Sequence, residues 1–270
     1  MKHQNQKLRK SFPLLHPRKN KNTSVVGAAL DYRIRTFFGH EENLIGMTGL
    51  FYIADFIGAP EESIAEYRDE FYRLRNLVQS KPPGTEHEDE YLEHCVLLSR
   101  AEVLIRAGRL LPEVVEFVYN TAKHGFKREF LTRVANGIDL QEIRSMAHSF
   151  AKTHWQSLSR LKPARLNPDF GSFSRAIGGA DADMILGTRL YDIKTTQGLI
   201  TGKYLSQIMA YSFLDDGVDT AGFYFARHCA LVEWELEYLV GETSHLSPEQ
   251  ARQEFRDLVI SIGNGDVSGS

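Results

Sequence analysis

Apolar residues in the first part of the chain, from about residue 24 to 161, recur at helical spacings. The clearest helix begins at Pro60, since a proline followed by two glutamates is typical of a first turn. It is predicted to run to about Ser80, and its apolar positions are three or four residues apart: Ile64, Tyr67, Phe71, Leu74 and Leu77. Further helices are predicted over 43–56, over 88–107, from Pro112 and over 140–161.

The pattern changes to short apolar runs after Leu166. Residues 166–171 are predicted to form a loop, and a first strand is predicted over 173–177. Two further strands, 184–186 and 190–193, are separated by a two-residue turn, and the remaining elements are a helix over 201–214, strands over 221–226 and 231–236, and a helix over 248–262. The order β-β-β-α-β-β-α indicates an α/β (α+β mixed) fold, in which helices flank a mixed central sheet.

The hairpin around Gly187-Thr188 carries the most informative polar residues. A two-residue turn pairs Leu186 with Arg189, which places Asp183 opposite Asp192 and Asp181 opposite Lys194. Directly opposed residues, and residues two apart on one strand, point to the same side of a sheet. Crowded carboxylates repel one another unless a cation lies between them. The register therefore predicts a divalent metal site with a lysine beside it.

A solvated sheet face is the alternative interpretation of these alternating polar residues. Against it, Ile185 and Leu190 share the acidic face, while Tyr191 and Ile193 cover the other, so we expect strands that are buried on both sides. A carboxylate or a lysine in a buried strand needs a charged partner or a metal. This argument favours the metal site.

Composition limits the class of protein. Hydrophobic content of 42% and charged content of 25% are typical of a soluble globular protein. No apolar run approaches the roughly 20 residues needed to cross a bilayer, and the first residues lack the hydrophobic region of a signal peptide. We therefore expect a cytoplasmic protein without membrane contact. Cys95 and Cys229 are too few for a disulfide framework or a four-thiolate cluster, so no iron–sulfur cluster is expected.

A net charge of −3 gives no overall electrostatic argument for nucleic-acid binding. Residues 1–22, however, contain seven cations and no acid: Lys2, Lys7, Arg9, Lys10, Arg18, Lys19 and Lys21. They are predicted to form a basic flexible arm, which either contacts phosphates or only aids solubility. We expect residues 23–160 to form a helical region packed on a core over 161–262, with a flexible tail over 263–270.

Asp183 followed by Asp192-Ile193-Lys194 resembles the signature of the PD-(D/E)XK nuclease superfamily. Gln207-Ile208-Met209-Ala210-Tyr211 resembles the QxxxY helix of its RecB-type branch. The resemblance covers about residues 167–262 and implies a restriction-endonuclease-like core. It also implies that Asp183 and Asp192 are the principal ligands of Mg²⁺ or Mn²⁺, that the Ile193 carbonyl is a further ligand and that Lys194 is catalytic. Gln207 and Tyr211 would line the active site and support the lysine or the substrate strand.

Three points stay open at this level. Asp181 ends a Gly-x-x-Asp sequence that also resembles the family pattern, so it either lies close to the metal or replaces Asp183, which we rank first. The upstream Gly-x-x-x-His of RecB-type enzymes is missing, and Asp31 and Glu88 stand at that spacing instead. From spacing alone, Gln207 and Tyr211 could equally be ordinary helix residues on one partly exposed face.

The resemblance implies a metal-dependent nuclease that hydrolyses phosphodiester bonds, with DNA favoured over RNA, in repair, mobile-element or defence contexts. The chain has no phosphate-binding glycine loop, so we expect it to act alone, as a homo-oligomer or beside a motor or other protein subunit. The alternative is a catalytically inactive nuclease-fold protein that binds nucleic acid or serves as a scaffold. The intact set of Asp183, Asp192 and Lys194 favours the enzyme, whereas the missing histidine and the negative charge favour the alternative.

Overall fold

The computed structural model of the chain describes residues 10–39, 44–79, 81–176, 182–198 and 200–263. The chain divides into two compact units. We call residues 16–156 the helical unit, and residues 1–15 together with 157–270 the sheet unit. The first nine residues of the predicted arm and residues 264–270 of the predicted tail lie outside the described ranges.

The helical unit contains the five helices that the apolar spacing predicts, together with two that it does not locate, the first and the sixth of the series. They are α1 (Thr23–Thr36), α2 (Ile45–Phe56), α3 (Glu61–Val78), α4 (Glu88–Ala107), α5 (Pro112–His124), α6 (Arg128–Ala135) and α7 (Leu140–Phe150). Helix α7 continues through a π-helical turn, Ala151–Trp155, and a last α-helical turn, Gln156–Leu158. The predictions for 43–56, 60–80, 88–107 and 140–161 are confirmed, with ends that differ by at most a few residues.

Helix α4 is the centre of the helical unit, because it contacts each of the other six helices named above. Its first residue, Glu88, accepts two hydrogen bonds from Arg33 of α1, at 2.8 Å to Nε and 3.1 Å to Nη2. Both side chains are almost fully buried, so each offsets a charge that would be costly alone. The helix ends at Gly108, whose φ of 60° is the left-handed conformation that favours glycine.

Residues 10–22 of the predicted basic arm are part of the folded units. In the helical unit, Asn20 is buried and donates from its backbone N–H and its side chain to Glu142 of α7. Its side-chain oxygen accepts from the backbone N–H of Asp139, just before α7. In the sheet unit, Phe12 packs against the hydrophobic core. Specific contacts therefore hold this part of the predicted flexible arm.

The sheet unit is built on a five-stranded mixed sheet in the order β1-β2-β3-β4-β5. Its elements are β1 (Ala164–Leu166), α8 (Ser172–Ala176), β2 (Met184–Leu186), β3 (Arg189–Lys194), α9 (Gly202–Phe213), β4 (Thr220–Phe225), β5 (Ala230–Glu235), α10 (Leu236–Gly241) and α11 (Pro248–Gly263). A 3₁₀ turn, Ala226–His228, links β4 to β5. Strands β3 and β4 pair in parallel and the other neighbours are antiparallel, so α9 is the crossover helix.

The mixed sheet flanked by helices confirms the predicted fold class, and α9 contacts both β3 and β4. The first predicted strand, over 173–177, is wrong, because residues 172–176 form helix α8. This helix is fixed locally, since the Ser174 hydroxyl accepts from the backbone N–H of Phe170 and Asp169 accepts from that of Gly171. The first strand is instead β1, whose three residues pair with β2. Within the described ranges no helix is both long and apolar enough to cross a membrane.

We predict that Gly222→Ala destabilises the sheet unit. Gly222 lies on β4, and a Cβ atom there would be 2.5 Å from the backbone oxygen of Val232 on β5. Since that neighbour is backbone, the sheet must shift, and we expect a loss of about 1–3 kcal/mol. The measurement is chemical denaturation followed by the fluorescence of Trp234.

The matched control is Gly241→Ala at the end of α10, where a Cβ would meet no atom within 4 Å. It should leave stability unchanged or raise it by about 0.5 kcal/mol. Equal stability of the Gly222→Ala variant and the parent would contradict the close approach of β4 and β5.

Candidate active site

The β2–β3 hairpin has the predicted register. Leu186 pairs with Arg189, Ile185 with Leu190 and Met184 with Tyr191 across the turn at Gly187, whose φ is 60°. All of these strand residues except Arg189 are fully buried, which confirms that the hairpin is covered on both sides.

Asp183 lies one residue before β2, and it is connected to both neighbouring segments. Its carboxylate accepts a hydrogen bond from the backbone N–H of Ile193 on β3. Its backbone oxygen accepts from the N–H of Asn167, at 2.9 Å, just after β1. These bonds fix the Asp183 carboxylate beside the end of β3.

The carboxyl groups of Asp183 and Asp192 face one another. Asp192 is only 5% exposed, on the central strand β3. Burial, and then the charge of Asp183, raise the pKa of Asp192 to about 7, although the nearby Lys194 ammonium acts in the opposite direction. Two adjacent acids that oppose each other's ionisation form the arrangement that a cation between them would relieve.

Lys194 connects the acidic pair to helix α9. Its Nζ forms an ion pair with Asp192 and donates to Gln207 Oε1 at 3.2 Å. The side-chain amide of Gln207 in turn donates to the Tyr211 hydroxyl at 2.8 Å. The structure thus brings Asp183, Asp192, Lys194, Gln207 and Tyr211 into one hydrogen-bonded group.

Tyr204 belongs to the same group, and the sequence reasoning missed it. The Lys194 Nζ lies 4.8 Å from the centre of the Tyr204 ring, within the range of a cation–π interaction. Tyr204 is three residues before Gln207 and seven before Tyr211, so all three share one face of α9. That spacing is the signal that could have identified it.

Two groups of predicted residues lie elsewhere or cannot be placed. Asp181 lies outside the described residues, as do Gly178, Gly179 and Ala180. Asp31 and Glu88, the residues at the spacing of the missing histidine, belong to the helical unit. There Asp31 pairs with Arg35 and Glu88 with Arg33. Both carboxylates are thus already engaged by arginines.

The donor atoms at the hairpin fit a hard divalent cation. Among the described residues there is no group of three or more histidine, cysteine, aspartate or glutamate side chains that could hold a metal ion. Asp183 and Asp192 offer two carboxylates, and Mg²⁺ characteristically binds one or two carboxylates and completes its shell with water and substrate phosphate. Burial, and then repulsion by Asp183, raise the Asp192 pKa, and both effects are the physical reason for expecting a cation there.

Comparison of the chain with protein-family models, with curated proteins and with solved structures gave no significant match.

We predict that, without divalent metal, the stability of the sheet unit falls as pH rises from about 4 to about 7. The pKa of Asp192 in the folded protein, about 7, exceeds the roughly 3.9 of an unfolded aspartate. The folded state therefore binds this proton more tightly than the unfolded state does. The resulting stabilisation is complete below the unfolded pKa of about 3.9 and is lost as the pH rises through the folded pKa of about 7. Each pKa unit corresponds to about 1.4 kcal/mol.

The measurement is urea denaturation across this pH range in a Trp155→Phe background, in which Trp234 is the remaining tryptophan and reports on the sheet unit. Asp192→Asn should flatten the pH dependence. Asp257→Asn, at an exposed position of α11, is the control and should keep it. An unchanged slope in Asp192→Asn would show that another group causes it.

Proposed function

We propose that this protein is a metal-dependent nuclease of the RecB-type branch of the PD-(D/E)XK superfamily, with a restriction-endonuclease-like core in its sheet unit. One observation carries the proposal. The buried Asp192, the partly buried Asp183 and the ammonium of Lys194 converge at the end of the hairpin, and Gln207 of α9 accepts a hydrogen bond from that ammonium. A structural ion pair would need only one carboxylate, so the second acid favours a metal-binding role.

The sheet topology supports the same proposal. Asp192, Ile193 and Lys194 form the carboxyl end of β3. The chain then crosses through α9 to β4, which pairs with β3 in parallel. Ligands of α/β sheets bind beyond the carboxyl ends of parallel strands. The candidate site therefore lies where a substrate can approach the sheet, and α9 carries Tyr204, Gln207 and Tyr211 to it.

The carboxylates of Asp183 and Asp192, with the Ile193 carbonyl, would hold Mg²⁺ or Mn²⁺, and Asp181 is the alternative to Asp183. When bound, such an ion supplies an activated water and offsets negative charge on the phosphate. Hard oxygen ligands of this kind are those that Mg²⁺ and Mn²⁺ prefer.

Lys194 provides the fixed positive charge of the site. Burial acts to lower the pKa of Lys194. The charge of Asp192 and its hydrogen bond to Lys194, together with the charge of Asp183, outweigh burial and raise this pKa overall. The group is therefore an ammonium at neutral pH, with N–H donors for a phosphate oxygen that gains charge during hydrolysis. Gln207 accepts one of its hydrogen bonds and Tyr204 lies under it, so the ammonium is held in one position.

The substrate we propose is nucleic acid, with DNA favoured over RNA. The enzyme would act in the cytoplasm, alone, as a homo-oligomer or beside a motor subunit, in repair, mobile-element or defence contexts. The alternative is an inactive nuclease-fold protein that binds nucleic acid or serves as a scaffold. The small number of acidic side chains at the site favours this alternative. Within the described part of the chain, no third acidic or histidine side chain joins Asp183 and Asp192.

We predict that Lys194→Ala abolishes cleavage and leaves folding and most nucleic-acid binding intact, because it removes a charge that acts on the reacting phosphate. A loss of at least about 10²-fold in kcat is expected, the size found when one stabilising donor is removed. Cleavage of single-stranded, duplex and branched DNA is compared in Mg²⁺ and in Mn²⁺.

Lys203→Ala is the matched control, because Lys203 is an exposed lysine in the first turn of α9. It should cleave like the parent. Cleavage by Lys194→Ala within a factor of a few of the parent would refute the assigned role. A parent protein that binds nucleic acid but cleaves no substrate in either metal would instead favour the inactive alternative.

We also predict that Asp183→Asn weakens Mn²⁺ binding more than Asp181→Asn does, because Asp183 is held directly beside Asp192. Calorimetric titration of the two variants and the parent measures this order without any cleavage step. The reverse order would assign the principal ligand to Asp181. No Mn²⁺ binding by the parent would argue against a metal site at the hairpin.

A further inference from the structure

The 3₁₀ turn Ala226–His228 holds two separate segments of the sheet unit by hydrogen bonds to their backbones. One segment, residues 195–198, follows the catalytic Lys194 directly. The other, residues 10–15, precedes the helical unit in the chain. Arg227 and His228 are both buried, and arginine is a residue type that is mostly exposed in proteins.

Arg227 is attached to both segments. Its Nε donates to the backbone oxygen of Thr195 at 2.6 Å, one residue after Lys194. Its own backbone oxygen accepts from the N–H of Leu15 at 2.9 Å. The guanidinium is fully buried, so this bond to the exit of β3 is shielded from water.

His228 joins the same two segments through its ring. Its Nδ1 lies 3.0 Å from the backbone oxygen of Phe12, and its Nε2 lies 3.1 Å from the backbone oxygen of Gln197. A carbonyl oxygen accepts hydrogen bonds and cannot donate them. Both ring nitrogens must therefore carry a proton for both bonds to form, and only the imidazolium has two N–H groups.

The described residues that precede, follow or form the bonds of the His228 ring include no carboxylate on the attached segments themselves. The titratable or charged residues on the attached segments and the adjoining turn and strand end are Lys10, Tyr224, Arg227 and Cys229, and residues 195–198 carry none. Carbonyl oxygens, with their partial negative charge, are thus the groups that stabilise the imidazolium. When the ring loses its proton, one of the two carbonyl bonds must be lost with it.

We propose that Arg227 and His228 are positioning residues for the catalytic lysine, and that protonated His228 ties Phe12 to Gln197 so that the segment after Lys194 is fixed. The effect on catalysis rests on the proposed nuclease function, whereas the connection of the two segments does not. Both residues reach the segment after Lys194 through its backbone, at the carbonyl oxygens of Thr195 and Gln197.

The first test is NMR of the ¹⁵N-labelled full chain between about pH 5 and 8, the range in which histidines titrate. Where both carbonyl bonds are intact, both ring nitrogens of His228 should carry a proton. At any pH where the ring has only one N–H, amide hydrogen exchange should be faster in 12–15 and in 195–198 together. A ring with one N–H at every pH, or exchange that is independent of the ring's protonation, would overturn the proposal.

The second test uses His228→Gln, whose two N–H groups are on a single nitrogen and cannot span the two carbonyls that the separate ring nitrogens reach. Exchange in 12–15 and 195–198 should be fast at every pH in this variant, and kcat should fall by about 10²-fold, as expected for a displacement of about 1 Å, with KM unchanged. Arg227→Lys is a second, milder variant, because it keeps the charge but loses the Nε donor. Its kcat should also fall, but by less than in His228→Gln.

Two matched controls lie in the same unit. His245→Gln changes an exposed histidine, and Arg256→Lys changes an arginine whose Nε donates to the backbone oxygen of Phe213. Both should keep the parent's exchange in 195–198 and its kcat. If the parent itself cleaves nothing, the nuclease proposal fails. The NMR and exchange results still test whether the turn connects residues 10–15 with residues 195–198. Parent-like kcat and exchange in His228→Gln would reject the positioning role.

Discussion

The register of one short hairpin determines where the candidate site of this protein lies. Because Leu186 pairs with Arg189 across two turn residues, Asp183 and Asp192 lie side by side at the far end of the strands. A shift by one residue would move every side chain of a strand to the opposite face. Gly187 maintains the register, since its positive φ suits a two-residue turn and is unfavourable for other residues.

The site is part of the hydrophobic core rather than an addition to it. Ile185 and Leu190 lie in the same core as Ile208 of α9 and Phe223 of β4. The acids and the lysine are therefore positioned by packing that also stabilises the sheet, and burial strengthens the interactions among their charges. The same burial makes Asp192 difficult to ionise without a cation close by.

Sequence patterns with strong local signals predicted most of the fold. Helix spacing located five helices of the helical unit, α2 to α5 and α7, and the turn at Gly187-Thr188 fixed the pairing of β2 with β3. The pattern failed at β1 and α8. The three residues of β1 are too few to give a periodic signal, so this strand forms because it pairs with β2. Helix α8 depends on hydrogen bonds to the side chains of Ser174 and Asp169.

The candidate site was predictable where the residues are close in sequence. Asp183, Asp192 and Lys194 follow from the hairpin alone, and Gln207 and Tyr211 from helical spacing and the resemblance. Tyr204, Arg227 and His228 were not predicted, because their contacts depend on how α9 and the turn after β4 pack against the end of β3. Such tertiary contacts leave no periodic pattern in a single sequence.

Burial of Asp192 also has a consequence for how this sequence can drift under mutation. An ionised carboxylate on a central strand disfavours the folded state, so replacement by a neutral or apolar residue of similar size would tend to make the protein more stable. Without a requirement for the acid, random substitution would therefore remove it, since such changes improve folding and are not selected against. The chain nevertheless carries Asp192 at a position where a core would more easily hold leucine, methionine or valine, with the partly buried Asp183 and Lys194 beside it. The fold by itself gives no reason for that combination, whereas the proposed reaction would use all three.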